Sequence, residues 1–365
     1  MFIMKTKTVT TLFKKVCLFS LALISFSAIA QEEEKKWFDN FSVNGSVDGY
    51  FRTNIGAPNT LDLDNNPDTP DPFQAPGTSF ANESGFALGM ANVILGYEGE
   101  KVGFVADLVY GPRGEDAVFN SVGSSNIVNQ LYVYWNVTEK FKLTVGNFNT
   151  YLGYEVISPT GNFNYSTSYM FTNGPFSHTG LKADFALSDQ WSAMVAIMNP
   201  TDYTENNPFD TYIVGAQVGY SADSGSAYLN FRYGNEGEPG PSEPTFQVDL
   251  TTGWDVSDKF YLGFNGTYLD TDGSGFYGAA IYPQFQLVDS FALGLRGEYF
   301  NTFVDTDGVD DVDVTAITLT GSYDIGNLTF KPEFRLDSSE DAFLDKDLEA
   351  TSSLSSFVLG AIYKF

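Results

Sequence analysis

Only one imidazole is present in this 365-residue chain, His178 in F-S-H-T-G. Any Ser–His hydrolase chemistry would have to pass through it. No serine stands in a nucleophile-elbow context such as G-x-S-x-G, so His178 reads as a loop-edge residue and no enzyme is expected. Thiol chemistry rests on a single cysteine, Cys17. Metal chemistry is offered by carboxylates: Asp62-x-Asp64-x-Asn66, Asp270-x-Asp272-Gly273 and Asp305-x-Asp307-Gly308 resemble pieces of calcium loops, where alternate oxygens converge on a hard cation. None has the distal Glu, and Asp-Gly turns need no ion. Solvated turns are therefore the better reading; no cofactor is expected, with Ca2+ in acidic external loops as the alternative. What remains is charge at alternate positions: Arg52, Asp107, Lys182, Asp184, Arg232, Arg296, Glu298, Glu333 and Arg335. Charges that line a narrow aqueous passage set its ion preference. Each could equally be paired with a neighbouring acid, such as Glu298 for Arg296 or Glu333 for Arg335.

Such charges need walls to carry them, and the leader says where the walls are built. Lys5, Lys7, Lys14 and Lys15 precede an apolar run, Val16 to Phe26, and the small-x-small site Ala28-Ile29-Ala30. That is a secretory signal peptide over 1–30, cut before Gln31. Cys17 lies inside it, so the exported chain is expected to carry no thiol. Without the leader, 15 basic residues face 46 acidic ones, a formal charge of −31. Such acidity repels phosphates, and no nucleic acid partner is expected. With 43% hydrophobic and 16% aromatic residues the chain is not a disordered acidic tail. No stretch of 18 uninterrupted apolar residues occurs after the leader, so a membrane location would require a closed barrel instead of helices.

From Phe41 onward, strand-like runs of about ten residues alternate with punctuation, as expected of a transmembrane barrel. Short turns (99–101, 138–140, 188–190, 222–224, 257–259, 288–290, 324–327) alternate with longer polar loops (55–84, 111–126, 151–177, 199–211, 235–243, 270–274, 305–313, 338–353). The count implies about 16 strands (14–18) in an all-β, antiparallel up-and-down barrel with an aqueous lumen, preceded by a short periplasmic leader at 31–40. Facing follows from period two. Phe41, Val43, Val47 and Phe51 oppose Ser42, Asn44, Ser46, Asp48 and Arg52; Leu328, Phe330, Phe334 and Leu336 oppose Lys331, Glu333, Arg335 and Asp337. Aromatics beside the short turns (Phe141, Trp191, Phe260, Phe291, Tyr97, Tyr323) form a candidate interfacial girdle. Pro283 and Pro332 fall inside strands on the lipid-facing parity, where bulges are expected. The last strand, S-S-F-V-L-G-A-I-Y-K-F, alternates apolar residues up to Tyr363 and Phe365, and closure against the first strand removes its sticky edge.

The third loop, 151–177, has 27 residues and one charge, Glu155, but seven aromatics including Tyr165. A loop so aromatic is expected to fold into the lumen and narrow it; the alternative is an external lid packed on its neighbours.

Tyr363 and Phe365 look like the assembly signal of outer-membrane barrels. G-N-F-N-T-Y-L-G-Y-E-V, N-F-N-Y-S-T-S-Y and G-P-F-S-H-T-G-L-K, between Phe141 and Leu187, resemble the OmpL-like β-barrel porins of Bacteroidetes-type bacteria. At Thr167 the chain departs from that pattern, where a basic residue is common, so no anion site is carried over. The resemblance implies a Gram-negative outer-membrane porin passing small hydrophilic solutes or ions, inserted by the barrel-assembly machinery among outer-membrane lipids, with a homotrimer as the candidate assembly. The alternative is a non-conducting surface barrel whose acidic loops bind a partner, glycan or divalent cations.

Overall fold

The computed structural model describes residues 37–61, 72–240, 243–306 and 308–365. The expected signal peptide, Gln31 to Lys36, Asp62, Asp64, Asn66 and Asp307 lie outside the described residues. Among those described, sixteen strands form one closed antiparallel barrel in which every strand pairs with its chain neighbours. They are β1 (Phe41–Ile55), β2 (Gly85–Glu98), β3 (Val102–Tyr110), β4 (Val128–Thr138), β5 (Phe141–Asn149), β6 (Ser177–Ala186), β7 (Trp191–Met198) and β8 (Ile213–Ala222). The second half comprises β9 (Gly225–Asn235), β10 (Pro244–Ser257), β11 (Phe260–Thr271), β12 (Ser274–Val288), β13 (Phe291–Phe303), β14 (Val312–Ile325), β15 (Leu328–Leu344) and β16 (Ala350–Lys364). An open sheet would leave two rows of unpaired backbone groups, which a bilayer core cannot hydrate; closure removes both. At the seam β1 pairs with β16, Tyr50 opposite Gly360. Beyond it Gly45 N donates to Phe365 O at 3.1 Å and Phe365 N to Gly45 O at 3.0 Å.

The period of two sorts the wall. Val133, Val145, Ile281 and Ile317 are about half exposed on the outside, while Asn230, Arg296, Thr318 and Glu333 on the other parity are fully buried. Charge on the outer parity would cost roughly 2–4 kcal/mol per residue at the bilayer midplane, which enforces the sorting. Near the short turns the outer aromatics meet in pairs: Phe41–Tyr97 and Phe141–Phe185 with centroids 4.9 Å apart, Trp191–Tyr220 at 5.0 Å and Phe260–Phe285 at 4.5 Å.

Three local expectations are corrected. The sixth loop, read as 270–274, is a two-residue turn: Asp272 and Gly273 have φ of +51° and +79° and join β11 directly to β12. Positive φ at both central residues matches the right-handed strand twist, and the Asp-Gly pair supplies it. Much of the eighth loop, 338–353, is strand, because β15 runs to Leu344 and β16 starts at Ala350. Pro283 and Pro332 make no bulge. The ladder keeps its register past them, from Ile281–Gly297 to Gln284–Gly294 and from Thr320–Glu333 to Tyr323–Phe330, and skips the intervening pairs. Proline lacks an N–H, so one side of the ladder lapses without inserting a residue.

Candidate functional site

Residues 150–176, the third loop, leave β5 and return to β6. Tyr151 OH donates to Phe231 O on β9 at 2.8 Å, Gly153 N to Asp249 Oδ1 on β10 at 3.0 Å, and Tyr154 N to Asn265 Oδ1 on β11 at 3.3 Å. Tyr169 N reaches Glu298 Oε2 on β13 at 3.0 Å, Asn164 Nδ2 reaches Thr320 Oγ1 on β14 at 2.7 Å, and Tyr165 N reaches Glu333 Oε2 on β15 at 2.9 Å. Its Tyr165 hydroxyl donates to Asp48 on β1. The segment thereby touches seven strands of the closed cylinder, on six of them through residues of the inner parity.

An irregular segment carries backbone groups that no ladder satisfies, and burying them unpaired is costly. Charged wall side chains satisfy them here, through the stronger class of hydrogen bond. Arg296 forms an ion pair with Glu155 at 2.6 Å and donates to the carbonyls of Ser166 at 2.7 Å and Thr167 at 3.1 Å. Arg335, paired with Asp337 at 2.8 Å, donates to the same Thr167 carbonyl at 2.8 Å. Glu155 also accepts from Ser168 N at 2.7 Å. A one-turn helix, α2 (Tyr169–Asn173), starts at Ser168, whose hydroxyl accepts from Phe171 N at 3.0 Å. Glu298 accepts from its first two amides, Tyr169 and Met170, placing negative charge where the free N–H groups point. Lys331 donates to Pro159 O at 2.8 Å and to Asn162 O. From the second loop, Arg113 on helix α1 (Pro112–Ala117) donates to Ile157 O at 2.8 Å and lies 4.4 Å over the Phe80 ring. The loop's outer flank packs Ile157, Phe171 and Phe176 against Phe80, Met90 and Val118.

At the loop's exit, Asp202 from the β7–β8 connection accepts from Phe176 N at 2.8 Å and Ser177 N at 2.7 Å. Burial pushes its carboxyl up to about 6, against the pull of those two amides. His178 is fully buried, with Nε2 3.0 Å from Thr150 Oγ1 and its ring 5.3 Å from that of Tyr151. It braces the loop's root.

The structure brings Glu155, Tyr165, Arg296, Glu298, Glu333 and Arg335 together, and all six are buried between loop and wall. The partners differ from the sequence pairing: Arg296 takes Glu155 and Arg335 takes Asp337. Arg52 serves the first loop, donating to Gln74 O at 3.2 Å and Asn54 Oδ1 at 2.8 Å. Asp107 accepts from Asn129 at 2.7 Å and Asn92 at 3.2 Å, and Arg232 pairs with Glu236. Lys182 and Asp184, 3.5 Å apart on β6, keep 21% and 26% of their side chains exposed on the inner face. Sequence reasoning did not single out Arg113, Asp249, Asn265 or Asp337 as site residues; only Asp337, continuing the parity of Glu333 and Arg335, carried a visible signal. Among the described residues no group of three His, Cys, Asp or Glu could hold a metal ion. An outer apolar groove of about 460 Å³, lined by Phe104, Val133, Trp135, Val145 and Leu181 among others, has no charged lining and lies on the lipid side, away from this site.

Residues 40–365 match the family model described as "Putative beta-barrel porin-2, OmpL-like". No curated protein matches significantly. Among solved structures the chain is similar to OprB of Pseudomonas putida (11% identity, TM-score 0.60, covering 89% of this chain and 94% of that one). It is also similar to the outer-membrane channel DcaP of Acinetobacter baumannii (13%, 0.59, 89% and 97%) and to the trimer form of OmpT of Vibrio cholerae (12%, 0.53, 89% and 99%). At such identities the likeness is one of fold.

Proposed function

The chain belongs to the OmpL-like β-barrel porin family, an outer-membrane channel family, and we propose that it is a passive diffusion channel for small hydrophilic solutes or ions whose third loop narrows the lumen. One observation carries this reading: the loop's backbone is hydrogen-bonded to inward-facing wall residues of β10, β11, β13 and β15, and its Asn164 side chain to Thr320 of β14. A sixteen-stranded wall is wide enough to leave water beside such an insert. We place the passage beside the loop on the side of β4 to β8, where Tyr134, Lys182, Asp184 and Gln217 on the inner parity are only partly buried, although Thr150 and Tyr151 reach that wall at His178 and Gly215. On the loop itself, Val156, Ser158, Thr160 and Gly161 are uncharged and only partly buried. An enzyme is disfavoured, because His178 has no exposed surface with which to meet a substrate. The assembly we propose is a homotrimer, supported by the trimer form of the similar OmpT, and chemical cross-linking in membranes tests it.

Planar-bilayer recording of the purified, folded barrel tests the channel. Ohmic single-channel steps are expected, and ion-replacement potentials then give the selectivity. A barrel that inserts but never conducts sinks the proposal and favours a surface barrel that binds through its acidic loops.

A further inference from the structure

Five inward-facing glycines on five strands lie directly under side chains of the third loop. Gly215 on β8 lies under Tyr151, Gly263 on β11 under Tyr154, Gly278 on β12 under Met170, Gly294 on β13 under Phe163, and Gly360 on β16 under Tyr165. A methyl group built on each would stand no more than 2.9 Å from its loop side chain, closer than real Cβ contacts come. None of the five has a positive φ. Their backbones would accept a side chain, so turn geometry does not explain them, and a glycine inside a strand is otherwise a liability. We propose that these glycines are seats that fix the position of the third loop, making Gly360 and Gly294 positioning residues for the cross-section of the passage.

The physical content is register. Hydrogen bonds to long flexible side chains such as Arg296 or Lys331 tolerate a shift of an ångström, because the side chain follows. A ring lodged against bare backbone does not, since dispersion contact and repulsion both change steeply over that distance. Tyr165 makes the sharpest case: it is fully buried, its hydroxyl is held by Asp48, and its ring lies 5.7 Å from that of Tyr50. It has nowhere to go if Gly360 gains a methyl. Gly297, three residues from Gly294 on the same strand, faces outward with its nearest neighbours, Ile281 and Leu295, at 3.7 Å, an ordinary contact. It is the natural control.

The link to the passage rests on the channel reading above; the seats themselves do not. Folded protein in micelles, wild type, Gly360→Ala, Gly297→Ala, Tyr165→Ala and the Gly360→Ala/Tyr165→Ala pair, is compared by hydrogen–deuterium exchange over residues 151–177 and by single-channel recording. Amides near Tyr165 are expected to exchange at least about tenfold faster in Gly360→Ala and at the wild-type rate in Gly297→Ala. In the Tyr165→Ala background Gly360→Ala should add nothing, because the clashing ring is gone. Conductance should shift in Gly360→Ala alone among the two glycine variants. Wild-type protection in Gly360→Ala, or an equal effect with and without the Tyr165 ring, overturns the inference. If Gly360→Ala does not fold, the Gly294→Ala and Phe163→Ala pair decides in the same way, since Phe163 is only partly buried. A wild-type barrel that passes no current defeats the channel reading, while the exchange comparison still judges the seats.

Discussion

Replacing Glu155 by Gln removes one charge, keeps the side-chain shape and strands Arg296, which has no exposed surface. Breaking a buried ion pair from one side costs about 3–5 kcal/mol, because the remaining charge loses its compensation. Arg296 would keep the Ser166 and Thr167 carbonyls and the Thr318 hydroxyl, with the carboxylates of Glu298 and Glu333 also acting on it. That places the loss at the low end, about 3 kcal/mol, or on the order of a hundredfold in the equilibrium for opening the loop. The barrel ladders are untouched, so the loss should appear as local opening and not as global unfolding. Hydrogen exchange of the 151–177 segment in Glu155→Gln should therefore accelerate by about two decades, while the amides of β12 to β14 keep their protection. Replacing the pair by apolar residues (Glu155→Leu with Arg296→Met) should recover much of the protection, since a well-packed apolar pair often matches a buried ionic one. Wild-type exchange in Glu155→Gln would refute the reasoning and assign the hold to the two carbonyls alone.

Asp202 gives a pH dependence of definite sign. Its carboxyl titrates at about 6 in the folded protein, above the ordinary 3.8, so its contribution is complete below about 3.8 and is lost as pH rises through about 6. Amides around Phe176 and Ser177, corrected for intrinsic exchange, should be better protected at pH 5 than at pH 7, and Asp202→Asn should flatten that difference. On the outer wall, Ile317→Arg in mid-strand should cost roughly 2–4 kcal/mol in denaturant unfolding from vesicles, against about 0–1 for Ile325→Arg at the strand's end; equal costs would mean that the outer parity does not meet lipid. Deleting Phe365 removes both backbone bonds to Gly45 and should lower refolding yield more than Phe365→Ala, which retains them.

How much was legible in the residues follows from which solvent each face meets. Where one face meets lipid and the other water, chemistry alternates with period two, and the sixteen strands and the parity of Arg296, Glu333 and Arg335 could be read directly. Past Leu336 the outer parity of β15 turns polar, with Ser338 and Glu340 exposed, and the alternation of apolar and polar residues disappears. Ser338–Leu344 and Ala350–Ser353 therefore read as loop although they are paired strand, with a register break between Ser338 and Phe343. The sixth loop erred oppositely: T-D-G-S looked like exposed punctuation, and Asp272-Gly273 is the tightest turn two strands can share. The partners of the charged wall residues were out of reach for another reason. Arg296 and Glu155 are 141 residues apart, and an irregular loop has no period to say which carboxylate arrives. Glycine seats leave less trace still, because a strand glycine reads first as a bulge or bend.

The buried loop contacts also change what net charge says about selectivity. The acidic surplus is large, yet Arg52, Arg113, Arg296 and Arg335 are consumed holding loops, and Glu155, Glu298 and Glu333 are consumed holding the third loop's backbone or pairing with Arg296. Counting inward-facing charges therefore counts fasteners. Lys182 and Asp184, partly exposed on the inner face, cancel each other, while the β13–β14 connection carries the exposed acids Asp305, Asp310 and Asp311. In the channel proposed above, a field arranged in this way would concentrate cations at the mouth and impose little preference at the narrowest point. Selectivity should then depend on ionic strength, which screens a mouth potential over a Debye length of about 10 Å at 0.1 M salt and barely touches a charge ring inside a constriction.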